Sequence, residues 1–242
     1  MLRLVSLMLI VSVAGCFAPA VKRCPDCVVL DGYHVDLPRL KPATTRLFVL
    51  APGLLGYGWE WEAPVRQLRA TPHADFVVFA FDPWGSLDRA ARELRGVIAN
   101  AVANAPPSVR EVIVVAHSAA GLIAARALAG LEPPPRALTL VTIGTPFAGM
   151  HICPCSETDM LHAPLMLSVS DSFAKWPPLP AGVRLIEYVT SYPSDPVMHP
   201  YNHKPVAPRD IGPPGAVRID VDPKLGHSGI VEQVIADLLR AK

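Results

Sequence analysis

Glu111-Val112-Ile113-Val114-Val115-Ala116-His117-Ser118-Ala119-Ala120-Gly121 is the stretch on which the fold turns. Its first part, Glu111 to Ala116, is a short apolar run rich in β-branched side chains, the signature of a strand buried on both faces. Its second part opens Ala119 to Leu131, a run of Ala and Leu with high helix propensity. Only His117 and Ser118 separate the two, so the chain passes from strand to helix without a loop. A strand that feeds a helix directly is the building unit of a parallel α/β sheet.

Outward from this unit the same alternation continues. Arg46 to Ala51, Phe76 to Phe81, Ala137 to Ile143, Val183 to Thr190 and Ala216 to Val221 read as five more strands. Glu60 to Ala70, Ser86 to Ala105 and Ser228 to Arg240 read as helices; in the second, Leu87, Ala91, Leu94, Ile98 and Val102 recur every three to four residues on one face. Such alternation predicts an open, mostly parallel sheet of about six strands with helices on both faces, its site outside the carboxyl ends of the strands. Two stretches break the rhythm. Phe147 to Gly182 reads as a small cap-like insertion (147–182), and Pro196 to Gly215 as a Pro-rich connection. No linker divides residues 46–242, which are expected to form a single α/β domain.

The 242 residues are 51% hydrophobic and 18% charged, a composition that excludes a disordered chain. Twenty-two basic residues against 21 acidic ones leave a formal charge of +1, so there is no basic field for nucleic acid. The 27 prolines follow no period, which excludes a collagen-like chain.

The amino-terminal residues read as an address. Arg3 precedes an apolar run from Leu4 to Val13 that is half of the ~20 residues needed to span a bilayer, and fits a secretory signal. Val13-Ala14-Gly15-Cys16 resembles the lipobox of bacterial lipoproteins. The resemblance implies removal of residues 1–15 and lipidation of Cys16, and thus a membrane partner reached through acyl chains. Phe17 stands where members held at the inner membrane carry Asp, which implies the outer membrane. Residues 16–45 form a segment of unassigned role. Export favours disulfides among Cys24, Cys27, Cys153 and Cys155, with three pairings open. A redox role for Cys24-x-x-Cys27, or a zinc site that adds His151 or His162, is the alternative.

Val115 to Gly121 also resembles the nucleophile elbow of the α/β-hydrolases, G-x-S-x-G, with Ala116 and Ala120 at the outer glycine positions. Small residues are needed there because positions two before and two after the Ser nearly touch; Ala meets that need, a larger side chain does not. A Ser after a strand is otherwise an ordinary helix N-cap. The resemblance implies the order Ser, acid, His. Asp195, in Tyr192-Pro193-Ser194-Asp195-Pro196-Val197 after the fifth strand, matches the acid; Asp171, Asp220 and Asp222 are weaker candidates. His227, in Gly226-His227-Ser228 after the sixth strand, matches the base, with His199 and His203 as rivals. Pro52-Gly53-Leu54-Leu55-Gly56 is similar to the H-G-x-x-G loop of bacterial lipases, with Pro52 where His is usual. It implies oxyanion donors at the N–H groups of Leu54 and Ala119. Thr142-Ile143-Gly144-Thr145-Pro146-Phe147-Ala148-Gly149 is similar to the T-I-G-T-P-H-x-G run of lipases and esterases.

Together these matches imply an α/β-hydrolase, lipase- or esterase-like, that cleaves carboxylic esters through Ser118, His227 and Asp195 and an acyl-enzyme, with no metal and no cofactor. Leu54, Leu55, Tyr57, Trp59, Trp61, Met160, Leu165 and Met166 would suit an acyl chain at the site's mouth, or simple packing. Thioester, amide or acyl-transfer chemistry on the same triad, and a lipid-anchored binding protein without turnover, are the competing readings.

Overall fold

In a computed structural model the described residues are 40–53, 59–79, 81, 85–132, 136–145, 147, 178–189 and 215–241. The six apolar runs form six strands: β1 (Arg46–Ala51), β2 (Ala74–Val78), β3 (Glu111–His117), β4 (Ala137–Ile143), β5 (Val183–Val189) and β6 (Val217–Asp220). They lie in one sheet in the order β2-β1-β3-β4-β5-β6, and every adjacent pair is parallel. The chain builds outward from β1 to β2, then crosses back to place β3 on β1's other side. The order therefore reverses between β1 and β3, and the crevice above their carboxyl ends is the topological switch point where α/β sheets bind ligands.

Among the described residues four α-helices cover the sheet: α1 (Glu62–Ala70), α2 (Leu87–Asn104), α3 (Ala119–Leu128) and α4 (Gly226–Arg240). α2 packs on α3, and α1 on α4. Alternation along each strand feeds two cores. Leu47, Val49, Val112, Val114, Leu138 and Leu140 meet α2 and α3. Phe48, Leu50, Ile113, Val115, Val141 and Ile143 meet the other face, with Val65 and Leu68 of α1 and Ile230, Val231 and Val234 of α4. Ser86 caps α2 by accepting the Arg89 N–H at 3.2 Å.

Some boundaries differ from the sequence expectation. β2 begins at Ala74 because its pairing starts level with Arg46, whose N–H and that of Thr45 donate to the His73 carbonyl. β6 is an edge strand, with Val217 48% exposed, rather than one buried on both faces. Gly226 takes a positive φ of 61° that turns the chain from a short 3₁₀ turn (Pro223–Leu225) into α4, so the helix starts before His227 rather than at Ser228. Trp61 is not at the mouth: it is fully buried in the core beneath α1 and α4.

Each helix ends at the amino edge of the sheet, and each end is held by a cation from another element. Lys41 Nζ lies within 3.1 Å of the carbonyls of Leu68, Arg69, Thr71 and Ala74, at the tail of α1. Arg136 donates to Ala105, Pro106 and Val109 after α2. Arg95 donates to Arg126 and Ala127 in the last turn of α3, and Arg46 to Leu238 and Ala241 at the end of α4. The carbonyls among these that belong to a helix's last turn carry the negative end of its dipole, where a cation is favourable.

Candidate active site

The elbow is visible in the backbone. β3 ends at His117, α3 begins at Ala119, and Ser118 between them has φ 56° and ψ −130°. Among the described non-glycine residues it alone has a positive φ. Such a conformation costs of order 1–2 kcal/mol and persists only where the surroundings hold it. The surroundings are on both sides. The Ser118 N–H donates to the Ile143 carbonyl at the end of β4 at 2.8 Å, and the Ser118 carbonyl accepts from Gly121 at 3.0 Å. Ala116 and Ala120 are fully buried, as small residues flanking such a turn must be. The ordinary N-cap role is excluded, because the Ser118 side chain makes no capping hydrogen bond. Its hydroxyl is left at the half-buried carboxyl edge, at the switch point.

Two contacts seat the elbow. Gly53, after β1, lies so close that a Cβ there would be 3.2 Å from Ser118 Cβ and 3.3 Å from His117 Nδ1. On the other side, a Cβ on Gly121 would be 1.9 Å from Thr145 Oγ1 and 2.7 Å from Thr145 Cβ, so the chain leaving β4 rests directly on the first turn of α3. Ala119 is the first residue of α3, and its N–H lacks a partner within the helix. The structure thus brings Ser118, Ala119, Gly53, His117 and Thr145 together.

Solved structures share this arrangement of strands and helices. The mature form of the lipase BlEst2 from Bacillus licheniformis superposes with a TM-score of 0.59 at 15% identity, over 86% of this chain and 96% of that one. The fold is that of the α/β-hydrolases. A thioesterase of the prodiginine pathway of Streptomyces coelicolor, RedJ, matches at TM-score 0.55 and 13% identity over 92% of this chain and 99% of that one. Est1E from Butyrivibrio proteoclasticus matches at 0.51 and 15%, over 82% and 88%. No protein-family model and no curated protein matches the chain.

On this α/β-hydrolase sheet the other expected site residues take different places. His227 stands in the first turn of α4, after β6; its side chain, Asp195 and Leu54 lie outside the described residues, as do Cys16, Cys24, Cys27, Cys153, Cys155, His151, His162, Asp171, His199, His203 and most of the cap-like insertion. Asp220 ends β6 with its side chain 80% exposed beside Arg218. The Asp222 carboxylate accepts the Lys224 N–H at 2.9 Å, which shapes the 3₁₀ turn. Both acids therefore have local roles. Among the described residues no cluster of three His, Cys, Asp or Glu could hold a metal, and no helix is long and apolar enough to cross a membrane.

One group near the site has no forerunner in the sequence reading. Glu187 sits inside β5 at 1% exposure, paired in register with Thr142 of β4 and Arg218 of β6. Burial pushes its carboxyl above the usual range; the Arg218 charge pulls it back in part, and Asp220 pushes it up again. A folded carboxyl that titrates above the unfolded one (about 4.3 for Glu) costs the fold nothing below that pH. Its contribution is then lost as pH rises through the folded value. Glu187→Gln is expected to melt progressively higher than the parent as pH is raised from 4 to 8, read from Tm against pH; a gap that shrinks with pH would contradict this.

Proposed function

We propose that this chain is a serine hydrolase that cleaves carboxylic esters. The observation that carries the reading is Ser118: a strained, non-capping serine between strand and helix, clamped at the switch point of an α/β-hydrolase sheet. Strain of this kind, held by the fold, marks a side chain presented for chemistry.

In this reading His227 takes the proton from Ser118 Oγ as the oxygen attacks the ester carbonyl, while Asp195 orients the imidazole and stabilises its charged form. The N–H groups of Ala119 and Leu54 receive the developing oxyanion, the former aided by the positive end of α3. Collapse of the tetrahedral intermediate breaks the ester bond, and His227 gives its proton to the leaving alcohol. The same imidazole then activates a water that attacks the acyl-enzyme, and the acid departs with Ser118 restored. A fluorophosphonate reagent tests this: covalent capture by the parent chain and none by Ser118→Ala supports it, and no capture by the parent refutes it.

The likeness to RedJ, a thioesterase, favours one second reading, thioester cleavage by the same groups; parallel kcat/KM values for matched p-nitrophenyl esters and acyl thioesters rank the two. We further propose that residues 1–15 are removed and that the mature protein is anchored in the outer membrane through lipid on Cys16, on the strength of Val13-Ala14-Gly15-Cys16 and Phe17. Metabolic labelling with an alkynyl fatty acid is expected to mark the parent chain and not Cys16→Ser; equal labelling overturns the assignment.

A further inference from the structure

The chain that leaves β1 passes Ser118 with little of its own to hold it there. Pro52 has no N–H to continue the strand's ladder, and Gly53 has no side chain to anchor it. Both residues are nonetheless buried. What lies beneath them is His117. Its Nδ1 is 3.3 Å, and its carbonyl oxygen 3.4 Å, from where a Cβ on Gly53 would stand. His117 is 4% exposed. It continues the β3 face of Ile113 and Val115, which are plain core residues packed towards α1 and α4. An imidazole where the alternation asks for another aliphatic side chain, seated against the backbone that crosses the nucleophile, calls for a reason beyond packing.

We propose that His117 is a positioning residue for the hydrolytic reaction: its ring, wedged beneath Gly53, sets the height at which the chain after β1 crosses Ser118. In doing so it fixes where backbone N–H groups can meet an oxyanion formed on Ser118. The proposal rests on the serine-hydrolase reading above. The ring acts by occupying space at Nδ1 and not by exchanging protons with substrate: it is buried, and its Nδ1 lies against the backbone of Gly53. An oxyanion donor displaced by a fraction of an ångström loses much of its effect on the transition state and little of its effect on ground-state binding.

The test is a double-mutant cycle on the full chain with a short p-nitrophenyl ester, with Tm measured alongside. His117→Ala is expected to lower kcat by ~10- to 100-fold with KM within about twofold. His117→Asn, which keeps an atom near the place of Nδ1, is expected to recover most of that loss without a change in the pH profile of kcat. Gly53→Ala alone lowers kcat because its Cβ meets Ser118 Cβ at 3.2 Å and the His117 ring at 3.3 Å. In combination with His117→Ala, which removes the ring contact and leaves the one with Ser118 Cβ, the loss falls short of the product of the two single losses. Parental kcat in His117→Ala, losses that multiply, or His117→Asn as slow as His117→Ala would each overturn the proposal. If the parent chain is not captured by a fluorophosphonate, the hydrolase reading falls and this one with it. Normal capture with a fully active His117→Ala removes this proposal alone.

Discussion

Ser118→Ala should fold as well as the parent chain and lose turnover by about four to six orders of magnitude in kcat, the size of loss seen when a triad nucleophile is removed. The two halves of this result come from separate observations. The hydroxyl makes no capping bond, so its removal takes no hydrogen bond from α3. The backbone strain at φ 56° is the same for Ala as for Ser, and Tm should move by no more than a few degrees. Ser118→Gly extends the test: glycine adopts a positive φ without penalty, so this variant should be inactive and about 1 kcal/mol more stable than the parent. A residue whose replacement abolishes activity while it strengthens the fold is one kept for chemistry.

The second large effect is expected at Gly121. A Gly-to-Ala change inside a helix ordinarily stabilises by about 1 kcal/mol. At Gly121 the added methyl would stand 1.9 Å from Thr145 Oγ1, 2.6 Å from its Cγ2 and 2.7 Å from its Cβ. No rotation of Thr145 relieves a clash with its own Cβ, so the backbone after β4 must move. That backbone carries the Ile143 carbonyl that holds the Ser118 N–H. Gly121→Ala should therefore cost about 2–3 kcal/mol, typical of overpacking, and lower kcat as well, measured by urea unfolding and steady-state kinetics. Gly96→Ala, in open space on α2, is the control and should stabilise slightly. Recovery of stability in Gly121→Ala combined with Thr145→Gly would tie the loss to this contact.

The strands were legible because their apolar runs are short, β-branched and closed by Gly or Pro, as in Arg46–Ala51 before Pro52-Gly53. The ends of elements were less so. Ala74 and Asp75 join β2 because β1 offers partners at Arg46 and Leu47, information that no local run contains. The candidate nucleophile is legible in Ala116-His117-Ser118-Ala119-Ala120 because the need for small neighbours is written in the chain itself. The same five residues also allow a plain helix cap, a role that the Ser118 torsions and its uncapped side chain exclude. The surroundings of Glu187 and His117 are not legible in the sequence for one reason. Each derives its meaning from residues far along the chain, Thr142 and Arg218 for the first and Gly53 for the second, and register places them there.

The ties at the helix tails have a consequence for how this protein meets acid. The acceptors that Lys41, Arg46, Arg95 and Arg136 hold there are backbone amide oxygens, which take up no proton in the range where carboxylates do. Many domains loosen in acid because a carboxylate at one end of an ion pair is neutralised; the bonds to carbonyls offer no such point of release, whereas Arg46 also holds the Glu111 carboxylate at 3.2 Å, and that part of its tie is open to acid. Acidification should thus loosen the Arg46–Glu111 pair while it leaves the bonds from these cations to the helix-end carbonyls in place.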